Sequence, residues 1–337
     1  MTMERLKPVR EQVVALMGAS SGIGRETALR FAGRGARVVV SARSEEGLNS
    51  LVDEIRSSGG EATALAADVT EFDQVKAVAD RAVEEYGRLD TWVHLSGVSI
   101  FAKFEEITPE EFRRIVEVDL VGQAYGAMAA LPHIKREGRG ALIHTTSILA
   151  RRSVPLQSPY CASKRGVEGF LESLRVELRH DGWPISVTNV MPASINTPFF
   201  TKARTKMGVK PMGFPPIYQP GVVADAILYA AENPTRDIVA GGAGKNMLLG
   251  QRLSPNLMDA IMARAGFKGQ QTDEPKPEGA PDAIFGAVEG QNRVEGDFSE
   301  GSRPRSLSTW LDTHPAAKRG LAAGAALAAL VALRTRS

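Results

Sequence analysis

The chain has 337 residues, 43% of them hydrophobic, enough to bury one large α/β core or two smaller ones. With 41 Lys and Arg against 39 Asp and Glu, the formal charge is +2, which supplies no general electrostatic reason for a nucleic-acid partner. The single cysteine, Cys161, excludes an intramolecular disulfide and a multi-cysteine metal site; the 5 histidines lack zinc-ligand spacing, so no metal is expected.

Nothing at the N-terminus reads as a secretory signal. Val13 to Met17 is a short apolar run, followed by Gly18-Ala-Ser-Ser-Gly22-Ile-Gly24 and an amphipathic pattern through Arg34: strand, glycine turn, helix. Such glycines let the backbone bend and approach a pyrophosphate, whose charge the helix start favours. Gly18, Ser20, Ser21, Gly22, Ile23 and Gly24 are therefore candidate nucleotide contacts. The second strand, Ala36 to Ser41, ends in Ala42-Arg43. A small residue followed by arginine suits the 2′-phosphate of NADP, where an acid would suit the ribose of NAD. Arg43, with Arg25 after the glycine turn, points to NADP; the alternative is two solvated arginines.

A helix is expected over Glu45 to Ser57, a strand over Ala62 to Ala67 ending at Asp68-Val69, and a helix over Glu71 to Tyr86. Asp68 is a candidate for the adenine edge. Leu89 to Leu95 is the fourth strand, opening into Ser96-Gly97, where Gly97 again allows a cofactor to approach. Thr108-Pro109-Glu110-Glu111 is a good helix start, and the pattern runs to about Leu131. Gly140 to Thr146 forms the fifth strand and delivers Ser147; Tyr160 to Arg179 is helical, and Ile185 to Val190 is a sixth strand ending at Met191-Pro192. This alternation predicts a doubly wound parallel α/β sheet of Rossmann type, with ligands at the carboxyl ends of its strands. The glycine turn, Arg43, Asp68, Gly97, Ser147 and Pro192 all follow strands at that edge. Tyr160 and Lys164, four apart, share a helix face. There an ammonium favours a phenolate and draws the phenol down from its ordinary value of about 10. A hydroxyl, a phenol and an ammonium near one oxygen are chemistry for a carbonyl or an alcohol.

Together these motifs resemble the short-chain dehydrogenase/reductase family over roughly residues 10–250. They are MGASSGIG at Met17 to Gly24, Asp68-Val69, Ser147, the Tyr160-x-x-x-Lys164 pair, and MPASINTP at Met191 to Pro198. The resemblance implies an NADP(H)-dependent oxidoreductase in which Tyr160 is the general acid/base. Lys164 would lower its pKa and hydrogen-bond the nicotinamide ribose, and Ser147 would orient the substrate oxygen. Ile195 and Thr197 would meet the nicotinamide carboxamide, and a homodimer or homotetramer would form through the two long helices. Four positions depart from the family pattern. Met17 replaces a threonine, Ala193 a glycine, and His94-Leu95-Ser96-Gly97 stands for Asn-Asn-Ala-Gly. Asp119 stands where the family's fourth catalytic residue is asparagine. Leu95 and Asp119 motivate an alternative: a cofactor-binding scaffold or regulatory protein of the same fold without turnover.

Phe199 to Pro220 is the expected substrate lid. Phe199, Phe200, Met207, Met212, Phe214 and Tyr218 suggest a hydrophobic substrate. Lys202, Arg204, Lys206 and Lys210 would attract an anion or a membrane, or simply be solvated. A helix is expected over Gly221 to Glu232, a short strand at Ile238-Val239, and a helix over Ser254 to Arg264. The expected organisation is one domain over residues 8–266, a Gly-, Pro- and acid-rich disordered linker over 267–309, and an Ala-rich helix over 310–337. The 14 uncharged residues from Gly320 to Leu333 would span about 21 Å as a helix, against a hydrocarbon core of about 30 Å. The expected location is cytoplasmic, with membrane attachment through that segment left open.

Overall fold

Among the described residues, seven strands form one sheet, every neighbouring pair parallel: β1 (Val13–Met17), β2 (Arg37–Ala42), β3 (Glu61–Ala66), β4 (Thr91–His94), β5 (Gly140–Thr145), β6 (Ile185–Pro192) and β7 (Asp237–Ala240). The structure, a computed structural model, describes residues 6–321. The strand order is β3-β2-β1-β4-β5-β6-β7. Strands that advance outward from β1 in both directions reverse between β1 and β4, and such a switch point opens a crevice at the strands' carboxyl ends.

Helices cover both faces: α1 (Gly22–Gly33), α2 (Glu45–Ser57), α3 (Phe72–Tyr86), α4 (Pro109–Val116), α5 (Gly122–Arg136), α6 (Ser158–His180) and α7 (Gly221–Glu232). All five residues of β1 are buried. Because side chains alternate along a strand, Val14 and Leu16 join the apolar cluster under α1, α2 and α7, while Val13, Ala15 and Met17 join the one under α3, α5 and α6.

The helix expected from Thr108 starts as the sequence suggests, with Pro109 in its first turn and a capping box between Thr108 and Glu111. It does not run uninterrupted to Leu131. A wide π turn, Glu117–Val121, separates α4 from α5, which ends at Arg136. Asp119 lies in this turn, fully buried, with Oδ1 accepting from the Val98 N–H at 2.8 Å. One extra residue per turn shifts the helical register there, a distortion frequent at functional sites.

After β7 come α8 (Gly242–Leu253), which the sequence reading missed, and α9 (Pro255–Ala265). The disordered linker expected over 267–309 is corrected. Gln271–Pro275 pairs antiparallel with Val209–Pro211 of the lid, Ile284 is buried without exposure, and α10 (Leu307–Thr313) docks beside β7 through Thr309 and Ser306, which accept from Gly241 and Gly242. Composition misled because this strap is held mainly by polar contacts to the domain and needs little apolar burial of its own. Among the described residues, no helix is long and apolar enough to cross a membrane. The Ala-rich run lies outside the described residues from position 322 onward.

Candidate active site and cofactor cleft

A cavity of ≈ 420 Å³ opens at the switch point. Its walls include Gly18, Ser20, Ser21, Gly22, Ile23, Gly24, Arg43, Asp68, Val69, Gly97, Ser147, Tyr160, Lys164, Pro192, Ile195 and Thr197. Two glycines of the turn are sterically obligatory. A Cβ on Gly24 would lie 2.0 Å from the Gly18 carbonyl oxygen, and one on Gly18, whose φ is +85°, would lie 2.6 Å from the Ser96 nitrogen. Glycine alone permits this close approach of β1's end to β4's end.

Arg25 is not on the wall, contrary to expectation. Its guanidinium is buried against α2, reaching Glu54 Oε2 at 2.6 Å, Ser50 Oγ at 3.1 Å and the Gly47 carbonyl at 3.2 Å. It fastens α1 to α2, so the cation expected there for a phosphate is spent on packing. Asp68 reaches the cavity, but Arg114 and Thr70 hold its carboxylate, at 2.6 Å and 3.0 Å. Burial alone would raise its pKa; these donors outweigh burial and hold it below the ordinary value.

At the catalytic end, Ser147 follows β5 and caps the turn Ile148–Ala150, its Oγ accepting from the Leu149 N–H at 3.1 Å. That leaves the hydroxyl hydrogen free to donate into the cavity. Tyr160 and Lys164 lie one turn apart on α6, with the Lys164 Nζ 5.4 Å from the centre of the Tyr160 ring. The ammonium donates to the Thr145 carbonyl at 3.4 Å and lies 3.7 Å from Asp119 Oδ2. Asp119 itself is behind the wall.

The electrostatics correct one expectation. Tyr160 is not drawn down: burial pushes its phenol well above the ordinary value, the Asp119 carboxylate adds to this, and the Ser147 hydroxyl only partly offsets them. Lys164 is lowered by burial although Asp119 opposes the shift. Asp119 is pushed up to about 6, mainly by burial, against the pull of Lys164 and the Val98 N–H. Behind this group, His94 and His144 stack at 5.8 Å, both fully buried and both held neutral, chiefly by burial. Among the described residues, no group of three or more His, Cys, Asp or Glu is placed to hold a metal ion.

At the other end, Arg43 Nη2 donates to the strap carbonyl of Ala283 at 2.6 Å, and its Nη1 is buried without a partner among the described residues. The strap then follows the cleft's rim. Glu289 accepts from the Ser44 hydroxyl at 2.5 Å, and the Arg293 carbonyl accepts from the Gly22 N–H at 2.9 Å. The Asn196 carbonyl accepts from the Gly296 N–H at 3.2 Å. Ser44, Glu289 and the strap carbonyls carry no motif that a reader of the sequence would notice.

The lid supplies Phe199, Phe200, Met212 and Phe214 to the cavity, whereas Met207 and Tyr218 do not line it. Three of its four cations are neutralised within the fold. Arg204 pairs with Glu111 at 3.0 Å and Asp282 at 2.7 Å, Lys206 with Glu111 at 2.9 Å, and Lys210 with Glu274 at 2.9 Å and Asp297 at 2.5 Å. They pin the lid to α4 and the strap and offer little to an anionic substrate or surface. Lys202 differs: it lines the cavity and donates to Ser21 Oγ at 3.0 Å.

The short chain dehydrogenase family model matches residues 12–208. An uncharacterized oxidoreductase of Bacillus subtilis, YxnA, is 36% identical over 330 residues, 97% of this chain and 91% of its own length, so the similarity extends through the strap. The 3-oxoacyl-[acyl-carrier-protein] reductase FabG of Thermotoga maritima is 32% identical over 225 residues, 66% of this chain and 91% of that protein. A short-chain type dehydrogenase/reductase from Mycobacterium marinum superposes with a TM-score of 0.61 at 29% identity, covering 70% of this chain and 96% of that one. An alcohol dehydrogenase of Thermococcus sibiricus, solved with 5-hydroxy-NADP, shares the fold at a TM-score of 0.60 and 24% identity, over 68% of this chain and 95% of its own. With a cavity at the switch point lined by the glycine turn, Ser147, Tyr160 and Lys164, this chain belongs to the short-chain dehydrogenase/reductase family of oxidoreductases.

Proposed function

We propose that the protein is an NADP(H)-dependent reductase of a hydrophobic aldehyde or ketone, with Tyr160 as general acid. The reading rests on one observation: Ser147, Tyr160 and Lys164 share a single cavity with the glycine turn and Arg43. The cleft fits a phosphorylated dinucleotide on its own chemistry. Its floor is the glycine turn at the start of α1, and Arg43 at the end of β2 keeps a buried N–H that has no partner among the described residues.

When bound, the nicotinamide supplies or accepts the hydride. The chain's own residues handle the oxygen. Ser147 donates a hydrogen bond to the substrate carbonyl, and Tyr160 gives its proton to the oxygen as negative charge develops there. Tyr160, raised chiefly by burial, is protonated at neutral pH, the form that gives a proton to the oxygen when a carbonyl is reduced. Lys164 stabilises the phenolate left behind, and Asp119, in contact with Lys164, holds that ammonium charged against its burial. The carboxylate at 119 therefore sets the charge of the Lys164 site, which is a reason to read it as part of an active enzyme and not as a sign of lost turnover. Arg43 reads the 2′-phosphate, and Phe199, Phe200, Met212 and Phe214 select an apolar substrate.

The experiment is a screen of apolar aldehydes and ketones with NADPH, followed by Tyr160→Phe on whatever substrate is found. The variant should bind NADPH as the parent does and lose turnover; a Phe variant with parental kcat refutes the mechanism. NADPH binding without turnover across the panel would instead support the scaffold alternative.

A further inference from the structure

Four elements that are distant in sequence bring charged and hydroxyl groups together beside the end of β2. The lid contributes Lys202, the glycine turn Ser21, the residues after β2 Arg43 and Ser44, and the strap Glu289. Lys202 Nζ lies 3.0 Å from Ser21 Oγ, and Glu289 Oε2 lies 2.5 Å from Ser44 Oγ. One strap residue, Ala283, ties the two cations: its N–H donates to the Lys202 carbonyl at 2.9 Å, and its own carbonyl accepts from Arg43 at 2.6 Å. Arg43 still has a buried Nη1 without a partner among the described residues.

The end of the second strand is where an α/β cleft of this kind meets the adenosine ribose. Cations there suit a 2′-phosphate, and a carboxylate there suits the free ribose hydroxyls. This molecule brings both to the same rim, the carboxylate on Ser44 and the cations at Arg43 and, beside Ser21, Lys202, and Lys202 and Glu289 come from segments outside the family's motifs. We propose that Lys202 is a second cation of the 2′-phosphate subsite and that Glu289, from the strap, is a tethered anion that competes with the phosphate for Ser44. The inference rests on the NADP(H) reading and adds two specificity-determining residues to it. The charges facing Lys202 are consistent with this: burial lowers it to about 8, Glu289 opposes that shift and Arg43 reinforces it. A partly desolvated ammonium beside a second cation is a site that gains from an incoming dianion. The arrangement makes the cofactor choice depend on the strap's position, because Glu289 reaches Ser44 only while residues 282–293 lie along the rim.

The test is equilibrium titration of the full-length protein with NADPH and NADH, followed by nicotinamide fluorescence, and calorimetry with adenosine 2′,5′-bisphosphate and with ADP. Lys202→Met should weaken NADPH and the bisphosphate about 10-fold, with NADH and ADP changed less than about 2-fold, and Lys202→Arg should restore most of the loss. Glu289→Gln should do the opposite, tightening NADPH several-fold while NADH is unchanged or weaker. Equal loss of NADPH and NADH in Lys202→Met, or an unaltered NADPH/NADH ratio in Glu289→Gln, overturns the proposal. The underlying reading fails separately and visibly: if the parent prefers NADH and Arg43→Asp leaves that preference unchanged, the protein is not NADP-dependent whatever Lys202 does.

Discussion

The two ends of the cavity are walled in different ways. Around Tyr160 the groups come from β5, α6 and the π turn, and Lys164 and Asp119 are sealed from water. Around Arg43 the wall is a strap lying over the rim, in which Glu289 and Arg293 are exposed and the attachments are hydrogen bonds at the rim. In the first region burial sets the charge states: Tyr160 is raised, Lys164 lowered and Asp119 raised, each with desolvation as the leading cause. In the second, the proposed choice between cofactors would follow from which side chain reaches the rim. A buried interior would then set the chemistry, and a segment attached at the rim would tune what is bound.

The largest expected effect lies at the sealed end. Removing the Tyr160 hydroxyl should cost about 10²- to 10⁴-fold in kcat, the usual range for a positioned acid, with the NADPH dissociation constant changed less than about 2-fold. Comparable losses in both quantities would mean that the phenol holds the fold or the cofactor, and the division of labour between the two ends would break down.

Next in size is the strap's anchorage. Ile284 is its fully buried apolar residue, sitting in the cluster with Val75, Val78 and Ile115. Ile284→Ala should destabilise the strap by about 2–4 kcal/mol. Hydrogen exchange should rise over 282–299 and leave β1, β4 and β5 protected, if the strap opens as a unit of its own. Uniform loss of protection across the sheet would show that strap and domain unfold together, and the contrast between the two ends would be one of composition only.

A smaller effect is expected from Arg43→Asp. It removes the cation at the end of β2 and supplies an acid suited to ribose hydroxyls, so the NADPH/NADH affinity ratio should fall by about 10-fold or more. An equal change for both nucleotides, measured by fluorescence titration, would assign Arg43 to strap retention through Ala283.

The sealed end was readable in the sequence because its parts are local. Ser147 follows a β-branched run, and Tyr160 and Lys164 are one helical turn apart, so strand and helix periodicity place them. The glycine turn likewise follows from backbone sterics that only glycine satisfies. The strap was unreadable for the complementary reason. Gly296 and Phe298 find their partners on Asn196, roughly a hundred positions earlier, and Glu289 finds its partner on Ser44. No residue-level pattern announces a polar segment whose partners lie so far away, and by composition it resembles a disordered chain. Arg25 and the charge state of Tyr160 went wrong at an intermediate level. Both depended on what else packs nearby, Glu54 in one case and, in the other, the burial of the phenol with Asp119 adding to it.

The smallest effect tests whether burial governs Asp119. Its folded pKa of about 6 lies above the ordinary carboxylate value of 3.8, so the folded state binds this proton more tightly than the unfolded one. Stability contributed by this group therefore rises as pH falls through 6 and is lost as pH rises through it. Asp119→Asn keeps an oxygen for the Val98 N–H and does not titrate, so the parent should gain about 1 kcal/mol relative to the variant between pH 6 and pH 5. His94 and His144, both held neutral by burial, work in the opposite sense as pH falls, but they are present in both proteins and cancel in the difference. Lys164 loses its carboxylate partner in the variant, and any further fall in its pKa enlarges the difference with the same sign. Urea denaturation of both proteins across this range measures it. A flat difference would mean that Asp119 is ionised at its ordinary pKa, that water or Lys164 compensates it fully, and that the sealed end is no drier than the strap end.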